Sequence, residues 1–338
     1  MIYTITGLAR LSRSHRSVIV VHAMLTGITV LDFTMLLPGP HASSRLRDLG
    51  ATVWKIEPPG GDPARWTGPL NDGVGVVFRF HADGKTVRNV DLTSAAGKAW
   101  VREMAATADV VLEGFRPGVA ARLGIDYDTL AAVNPRLVYC SLTGYGQAGP
   151  LAAQAGHDLN YQALSGLLSL SEHVSGGPAV PVVQWADLIG GEAAVTAILA
   201  ALVNRERTGR GAFLDISMTD AVKRLLALYT VVWRLTGERG FAELSGRVVC
   251  YRLYRTQDGR WMALAALEPK FWKNFCDAMG HPEWIPFQFS DATPDNPVYR
   301  AIAACFAARP FDEWCKTAQK TDACLTPVLS VPEAAGLT

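Results

Sequence analysis

The sequence predicts an α/β protein, and three observations carry that prediction. From residue 27 onward, short apolar strand-like runs alternate with helix-like stretches. The strand-like runs end in polar, glycine-rich or proline-rich loops. Past about residue 222 the texture changes to a hairpin followed by helices, which marks a second, smaller α+β domain.

GITVLDFT (27–34) reads as a strand, PHASSRLRDLG (40–50) as a helix closed by Gly50, and ATVWKIEPP (51–59) as a strand stopped by prolines. That order implies a right-handed parallel unit. TVRNVDL (86–92) continues as a strand, a helix begins at Ser94, and DVVLEGF (109–115) is a buried strand. A short helix, VAARLG, follows the Pro117-Gly118 turn, and LVYCSLTGYG (137–146) adds one more strand. Repeated units of this kind build a large Rossmann-like parallel-sheet domain whose strand carboxyl ends face ligands. Neither a GxGxxG nor a P-loop signature occurs among those loops, so dinucleotide binding in the strict sense is not supported.

A long helix spans about Gly190 to Arg207, apolar over most of its surface and so packed on both sides, and a second helical stretch covers 217–236. VVCYRLYRTQDGRWMALAAL (248–267) reads as an antiparallel hairpin turning at Gln257-Asp258-Gly259, followed by helices near 270–280 and 298–318. The expected organisation is an extension at 1–24, a large α/β domain at 25–222 completed by 320–338, and a small α+β domain at 223–319.

With 338 residues the chain is long enough for this arrangement, and its 32 basic and 31 acidic side chains give a net charge of +1. No global field points to nucleic acid or to an acidic membrane surface. The six cysteines, at 140, 250, 276, 305, 315 and 324, form no CxxC pair; this fits reduced thiols in the cytoplasm and no structural metal. The longest apolar run near the start, VIVV at 18–21, is too short to span a membrane, and no membrane association is expected. Residues 1–23 carry arginines and no acidic residue; they read either as a targeting-type segment or as a start placed upstream of Met24-Leu25.

Three places combine ionisable side chains with unusual surroundings: His157-Asp158 in AGHDLNYQALSGLL, Asp187 in VVQWADLIGG after an apolar strand-like run, and Glu268 in LAALEPKFW. Each has a structural alternative. Asp158 can cap the helix that follows it, Asp187 can cap the next one, and Glu268 can flank the helix opened by Pro269.

The collinear series VLDFTMLLPGPHAS, LRDLGATVWKIEPPGGDPAR, LEGFRPGVAARLGIDYDTLAAVNPRLVYCSLTGYGQAGP, AGHDLNYQALSGLLS, ADLIGG, LVNRERTGRGAFLDISMTDA and LEPKFWKNFCDAMG resembles CoA-transferase family III, also called CaiB/BaiF, which includes the α-methylacyl-CoA racemases. The resemblance implies a large CoA-binding α/β domain, a smaller domain, and a homodimer of interlocked chains. It implies an acyl-CoA thioester as substrate, with a free carboxylic acid as a further substrate in transferases, and no cofactor beyond the CoA of the substrate. In transferase members the residue matching Asp187 forms an acyl anhydride and then an aspartyl-CoA thioester. In racemase members the residues matching His157, Asp187 and Glu268 move the α-proton, with Glu268 contributed by the partner chain and Asp158 orienting His157 or capping its helix. For CoA, the resemblance implies Lys55, Lys85, Arg116 and Arg122 near the phosphates, Phe115 beside the adenine or pantetheine arm, and close backbone approach at Gly144 and Gly146.

Three departures from the family pattern stand out. Gly246-Arg247-Val248-Val249 replaces a Gly-Gly-Ala-Pro turn, so a bulky charge is expected to perturb that loop. HADGKTVRN keeps Lys85 but not its arginine neighbour, and the sequence ends soon after LTPVLSVPEAAGLT. The His157, Asp187 and Glu268 set favours racemisation at a 2-methylacyl-CoA; CoA transfer through Asp187 is the alternative, and an impaired CoA-binding homologue the third.

Overall fold

Six parallel strands, with Thr29–Asp32 near the middle and an antiparallel strand at one edge, form the main sheet of a computed structural model that describes residues 2–4, 23–171 and 177–337. The strands of that sheet are β1 (Ile2–Thr4), β2 (Thr29–Asp32), β3 (Thr52–Glu57), β6 (Thr86–Asn89), β7 (Val110–Glu113), β8 (Val138–Thr143) and β9 (Ala212–Ser217). A two-residue hairpin, β4 (Leu70–Asn71) with β5 (Val74–Gly75), stands apart from it. The sheet order is β1-β6-β3-β2-β7-β8-β9; all neighbours are parallel except β1, which runs antiparallel to β6. The chain moves outward from β2 to β3 and β6, then returns to the other side of β2 for β7, β8 and β9. The crevice between the carboxyl ends of β2 and β7 is therefore the topological switch point, where open sheets of this kind bind ligands.

The helices of the first unit (Met1–Ala227) are α1 (Pro38–Asp48), α2 (Val76–Ala82), α3 (Ala95–Ala105), α4 (Val119–Leu123), α5 (Tyr127–Ala131), α6 (Asp158–Ser165), α7 (Trp185–Thr208) and α8 (Met218–Leu225). Local chemistry sets their ends. Pro38 opens α1, where a missing N–H costs nothing, and Gly50 beyond its end takes φ +105°. Ser94 caps α3 by accepting the Gly97 N–H at 2.9 Å. Strands β2, β7 and β8 are buried on both faces, which explains their continuous apolar runs. On one face Val30, Val53 and Val110 pack with Leu46 of α1, Ile198 of α7 and Val222 of α8; on the other Leu31, Ile56 and Val111 pack with Val101 of α3 and Leu130 of α5.

Helix α7 is long and apolar enough to cross a bilayer by composition alone, yet Ala194, Val195, Ile198 and Ala201 belong to the core beneath the sheet. It begins five residues earlier than its sequence pattern suggests. Asp187 thus lies inside the first turn of α7 rather than after a strand, and no strand forms over 179–184. The glycine pair is part of that helix: a Cβ on Gly190 would meet Met218 Cγ at 2.5 Å, and one on Gly191 would meet Pro38 O at 2.8 Å and His41 Cδ2 at 2.9 Å. The pair lets α8 and α1 close on α7 just past Asp187.

The second unit, Leu228–Thr338, has its own core. Strands β10 (Tyr251–Arg255), β11 (Trp261–Ala265) and β12 (Leu325–Pro327) form an antiparallel sheet, with the expected turn closed by Gly259 at φ +81°. Helices α10 (Pro269–Met279), α11 (Pro297–Ala307) and α12 (Phe311–Lys320) cover it, and α13 (Val331–Ala334) follows. Phe306 stacks on Tyr254 at 4.6 Å and on Trp314 at 4.2 Å, and lies 5.9 Å from Phe275. Pairing of β12 with β11 puts residues 320–338 in this unit, not in the large one, because Leu325 supplies the backbone partner and the apolar side chain that β11 lacks at its free edge.

The helical stretch at 217–236 breaks into α8 and α9 (Ala227–Thr236), and the division between units falls at 227/228 rather than 222/223. No residue of α9 is buried; Trp233 is 58% and Leu235 80% exposed. The altered loop is well seated. Gly246 takes φ +80°, Arg247 points outward while its carbonyl accepts from Ala292 N at 2.7 Å, and Val248 and Val249 are buried. Only Gly246 needs glycine's freedom there, so the charge at 247 does not perturb the turn. Of the extension at 1–24, Ile2–Thr4 form β1, whereas residues 5–22, with the VIVV run, lie outside the described residues.

Candidate active site

The site begins with the N-termini of two helices and a carboxylate that joins them. His157 is the N-cap of α6, with extended backbone (φ −131°, ψ 173°), and its N–H donates to Asn160 Oδ1 at 3.0 Å. Asp158, the first residue of α6, does not cap its own helix. Its Oδ1 accepts the Ala186 N–H at 2.8 Å and the Asp187 N–H at 3.1 Å, two of the free donors at the start of α7. Its Oδ2 accepts from Gln162 Nε2 at 2.6 Å. This clamp brings His157 and Asp187, thirty positions apart, to one place.

The His157 ring is exposed, and its Nδ1 lies 2.7 Å from the Gly156 carbonyl. A carbonyl only accepts, so Nδ1 carries the hydrogen in the neutral ring and Nε2 is left with a free lone pair. Asp187 is half-buried, and its pKa is pushed up to about 7. Burial is the main cause and the Asp158 charge adds to it, while His157 works in the opposite sense. A carboxyl poised near neutrality beside an imidazole with a free nitrogen can give or take a proton at physiological pH.

Two tyrosines back this pair. Tyr161 Oη donates to Gly156 O at 2.5 Å, sharing that acceptor with His157, and its ring meets Tyr145 edge-on at 5.2 Å. Burial first, and then the Asp187 charge, push the Tyr161 phenol up to about 12, while Arg116 pulls it down. Gly144 is needed for this packing: a Cβ there would fall 2.3 Å from the Tyr161 ring. The space on the Cβ side of Gly144 is thus filled by a side chain of the site. Gly146 adopts φ +83°, and its N–H donates to Thr143 Oγ1 at 3.0 Å.

The residues expected around CoA divide into two groups. Phe115 follows β7 at the switch point and, with Phe33, Met35, Pro58, Pro59 and Leu123, lines an apolar cleft of about 250 Å³ at the carboxyl ends of β2, β3, β6 and β7. Arg116 and Arg122 are exposed on the loop and on α4 beside it. Lys55 and Lys85, in contrast, are buried. Lys55 Nζ pairs with Asp62 at 2.9 Å and donates to the Thr34 carbonyl. Lys85 Nζ meets Asp32 at 3.3 Å, Pro40 O at 3.1 Å and Ser43 Oγ at 2.5 Å. Burial lowers the Lys85 ammonium to about 8, and Lys85, Lys55, Ser43 and Thr34 together hold Asp32 below its ordinary value despite its burial. Both lysines are spent on internal pairs that anchor the loop between β2 and α1, so neither presents its charge to a phosphate.

Glu268 belongs to the second unit, where it is the exposed N-cap of α10; its backbone carbonyl accepts from Phe271 and Trp272, and Pro269 stands at the first helical position. Gln162, Tyr161 and Tyr145 were absent from the sequence-derived site. The signal for Gln162 was available: Asp and Gln four apart at the head of a helix face each other.

The sequence matches CoA-transferase family III over residues 25–337. It is 36% identical to human alpha-methylacyl-CoA racemase over 315 residues, 91% of this chain and 78% of the relative. It is 35% identical to an acetyl-CoA:oxalate CoA-transferase of Acetobacter aceti over 321 residues, 92% of this chain and 82% of the relative. Among solved structures, a CAIB/BAIF family protein from Brucella suis superposes with a TM-score of 0.78 at 29% identity, covering 92% of this chain and 85% of that one. Rv3272 from Mycobacterium tuberculosis superposes with a TM-score of 0.76 at 31% identity, covering 92% and 85%. Relatives of both reaction types match at similar identity over nearly the whole sequence, and the chain is an enzyme that belongs to CoA-transferase family III.

Proposed function

We propose that the enzyme catalyses 1,1-proton transfer at the α-carbon of a 2-methylacyl-CoA. The observation that carries this reading is the Asp158 clamp, which joins an imidazole with a free Nε2 to a carboxyl poised at about 7. In one direction His157 Nε2 removes the α-proton from one face and Asp187, protonated, returns a proton to the other; in the reverse direction the two exchange roles. Negative charge developing between them lies near the start of α7, the positive end of a 24-residue helix dipole. Phe115 and the apolar cleft would take part of the CoA arm, with Arg116 and Arg122 at its phosphates. The bare apolar α9 supports a homodimer, from which Glu268 of the partner subunit would complete the site.

A second reading is favoured by the position of Asp187 at a helix start and by transferases among the relatives. The Asp187 carboxylate attacks the thioester carbonyl, the C–S bond breaks, and CoA thiolate leaves an acyl–aspartyl anhydride. The thiolate then attacks the Asp187 acyl carbon, releasing the first acid and leaving an aspartyl-CoA thioester. A second acid repeats the two steps in reverse.

Proton NMR in heavy water with a 2-methylacyl-CoA and a free carboxylic acid separates the two. Loss of the α-proton signal without a new thioester, with interconversion of the epimers abolished by His157→Ala and by Asp187→Ala, supports racemisation. A new acyl-CoA that requires Asp187 but not His157, with the α-proton retained, makes the enzyme a transferase. Binding of CoA thioesters with neither outcome leaves an impaired homologue.

A further inference from the structure

Gln162 is fully buried on α6, one turn after Asp158, and uses only half of its amide. Its Nε2 donates to Asp158 Oδ2 at 2.6 Å, while its Oε1 is buried without a hydrogen-bond partner among the described residues. Buried polar atoms are almost always satisfied, so an amide kept with one idle end is kept for the other end. Reversing the amide would set oxygen against carboxylate, so this orientation is the only one that bonds.

The remaining contacts of Asp158 define what Gln162 controls. Oδ1 accepts the Ala186 and Asp187 N–H groups, and Oδ2 has Gln162. The geometry points to Gln162 as a positioning residue: by holding Oδ2 it fixes the rotation of the Asp158 carboxylate, and with it both the cap on α7 and the separation of the Asp158 charge from Asp187. This rests on the assignment of Asp187 as a proton carrier, which it deepens. A neutral donor is what the place requires, since glutamate would put two carboxylates in contact and leucine would leave Oδ2 free to turn.

The groups facing Asp187 bear this out. Asp158, His157 and Tyr161 act on it from α6 and its N-cap. From α1, His41 is occupied by Glu192 at 3.0 Å, and α8 presents the apolar Met218 to Gly190. Asp158 is thus the anion that raises Asp187, and its rotation is the adjustable quantity.

The test follows the ionisation of Asp187 directly, by carboxyl ¹³C NMR of aspartate-labelled protein with Asp187→Asn to assign the signal, alongside α-proton exchange and thermal melting. In Gln162→Leu the Asp187 midpoint is expected to move acid-ward by roughly half a unit to one unit as Asp158 turns away. In Gln162→Glu, exchange is expected to recover as pH falls, because a protonated glutamate can donate to Asp158 as the amide does. An unchanged midpoint in folded Gln162→Leu, or a Gln162→Glu variant with the wild-type pH profile, overturns the proposal. If Gln162→Leu does not fold, Gln162→Glu decides alone. The titration needs no turnover, so a wild type that exchanges no proton speaks against the function, and an unmoved midpoint against Gln162.

Discussion

Asp158 caps the helix that carries Asp187, taking the Asp187 N–H at 3.1 Å while its charge raises the pKa of the same residue's side chain. One carboxylate therefore fixes both the place and the poise of its neighbour. The two effects separate by substitution. Asp158→Asn keeps an oxygen for the N–H groups but loses the charge, so Asp187 is expected to titrate lower with little loss of melting temperature. Asp158→Ala loses the cap as well and is expected to cost about 0.5–2 kcal/mol. Equal melting of the two variants in denaturant titrations would argue against the cap.

Stability should depend on pH through Asp187. Its pKa is about 7 in the folded chain against an ordinary value of 3.8, so between these values the folded state binds the extra proton. Stability contributed by this group therefore falls as pH rises through that window and stays low above it. Asp187→Asn is expected to flatten that slope and to stabilise the protein by roughly 1–3 kcal/mol at pH 8, with a smaller gain at pH 4. Urea unfolding at the two pH values measures this.

If His157 and Asp187 carry the proton as proposed, each should serve one face of the α-carbon. With His157→Gln, deuterium is expected to exchange into one epimer of a 2-methylacyl-CoA only, and with Asp187→Asn into the other only, while interconversion falls by about 10²–10⁴ in both. Exchange from both epimers in either variant excludes the two-base arrangement.

The buried and exposed cations should behave oppositely. Lys85→Met removes the ammonium that pairs with buried Asp32 and is expected to cost about 3–5 kcal/mol. Arg122→Ala, at the surface, is expected to leave unfolding unchanged and, on the proposed placement of CoA, to raise the KM for acyl-CoA roughly tenfold through loss of a phosphate contact. Thermal melts beside initial-rate kinetics read both effects.

Much of this was legible in the sequence. The continuous apolar runs of β7 and β8 signal strands buried on both faces, and Gly50 and Ser94 mark helix ends by their own chemistry. His157, Asp158 and Asp187 were legible as candidates. Their linkage was not, because a carboxylate capping a helix 28 residues away leaves no local pattern. Lys55 and Lys85 misled for a similar reason: a lysine before a phosphate site and a lysine paired in the interior look alike until Asp62 and Asp32 are seen beside them. The return of residues 320–338 to the small sheet was hidden because β12 is only three residues long.

The glycine pair on α7 has a wider consequence. With Met218 against one side and Pro38 and His41 against the other, the turn that follows Asp187 has no slack. Any added bulk there must displace a helix, and displacements of about 1 Å at a reacting group can cost 10²-fold in rate. Mutational tolerance should therefore be lower at 190, 191 and 218 than their distance from any proton suggests. The enzyme's vulnerability then extends along the axis of α7 rather than outward in a sphere from Asp187.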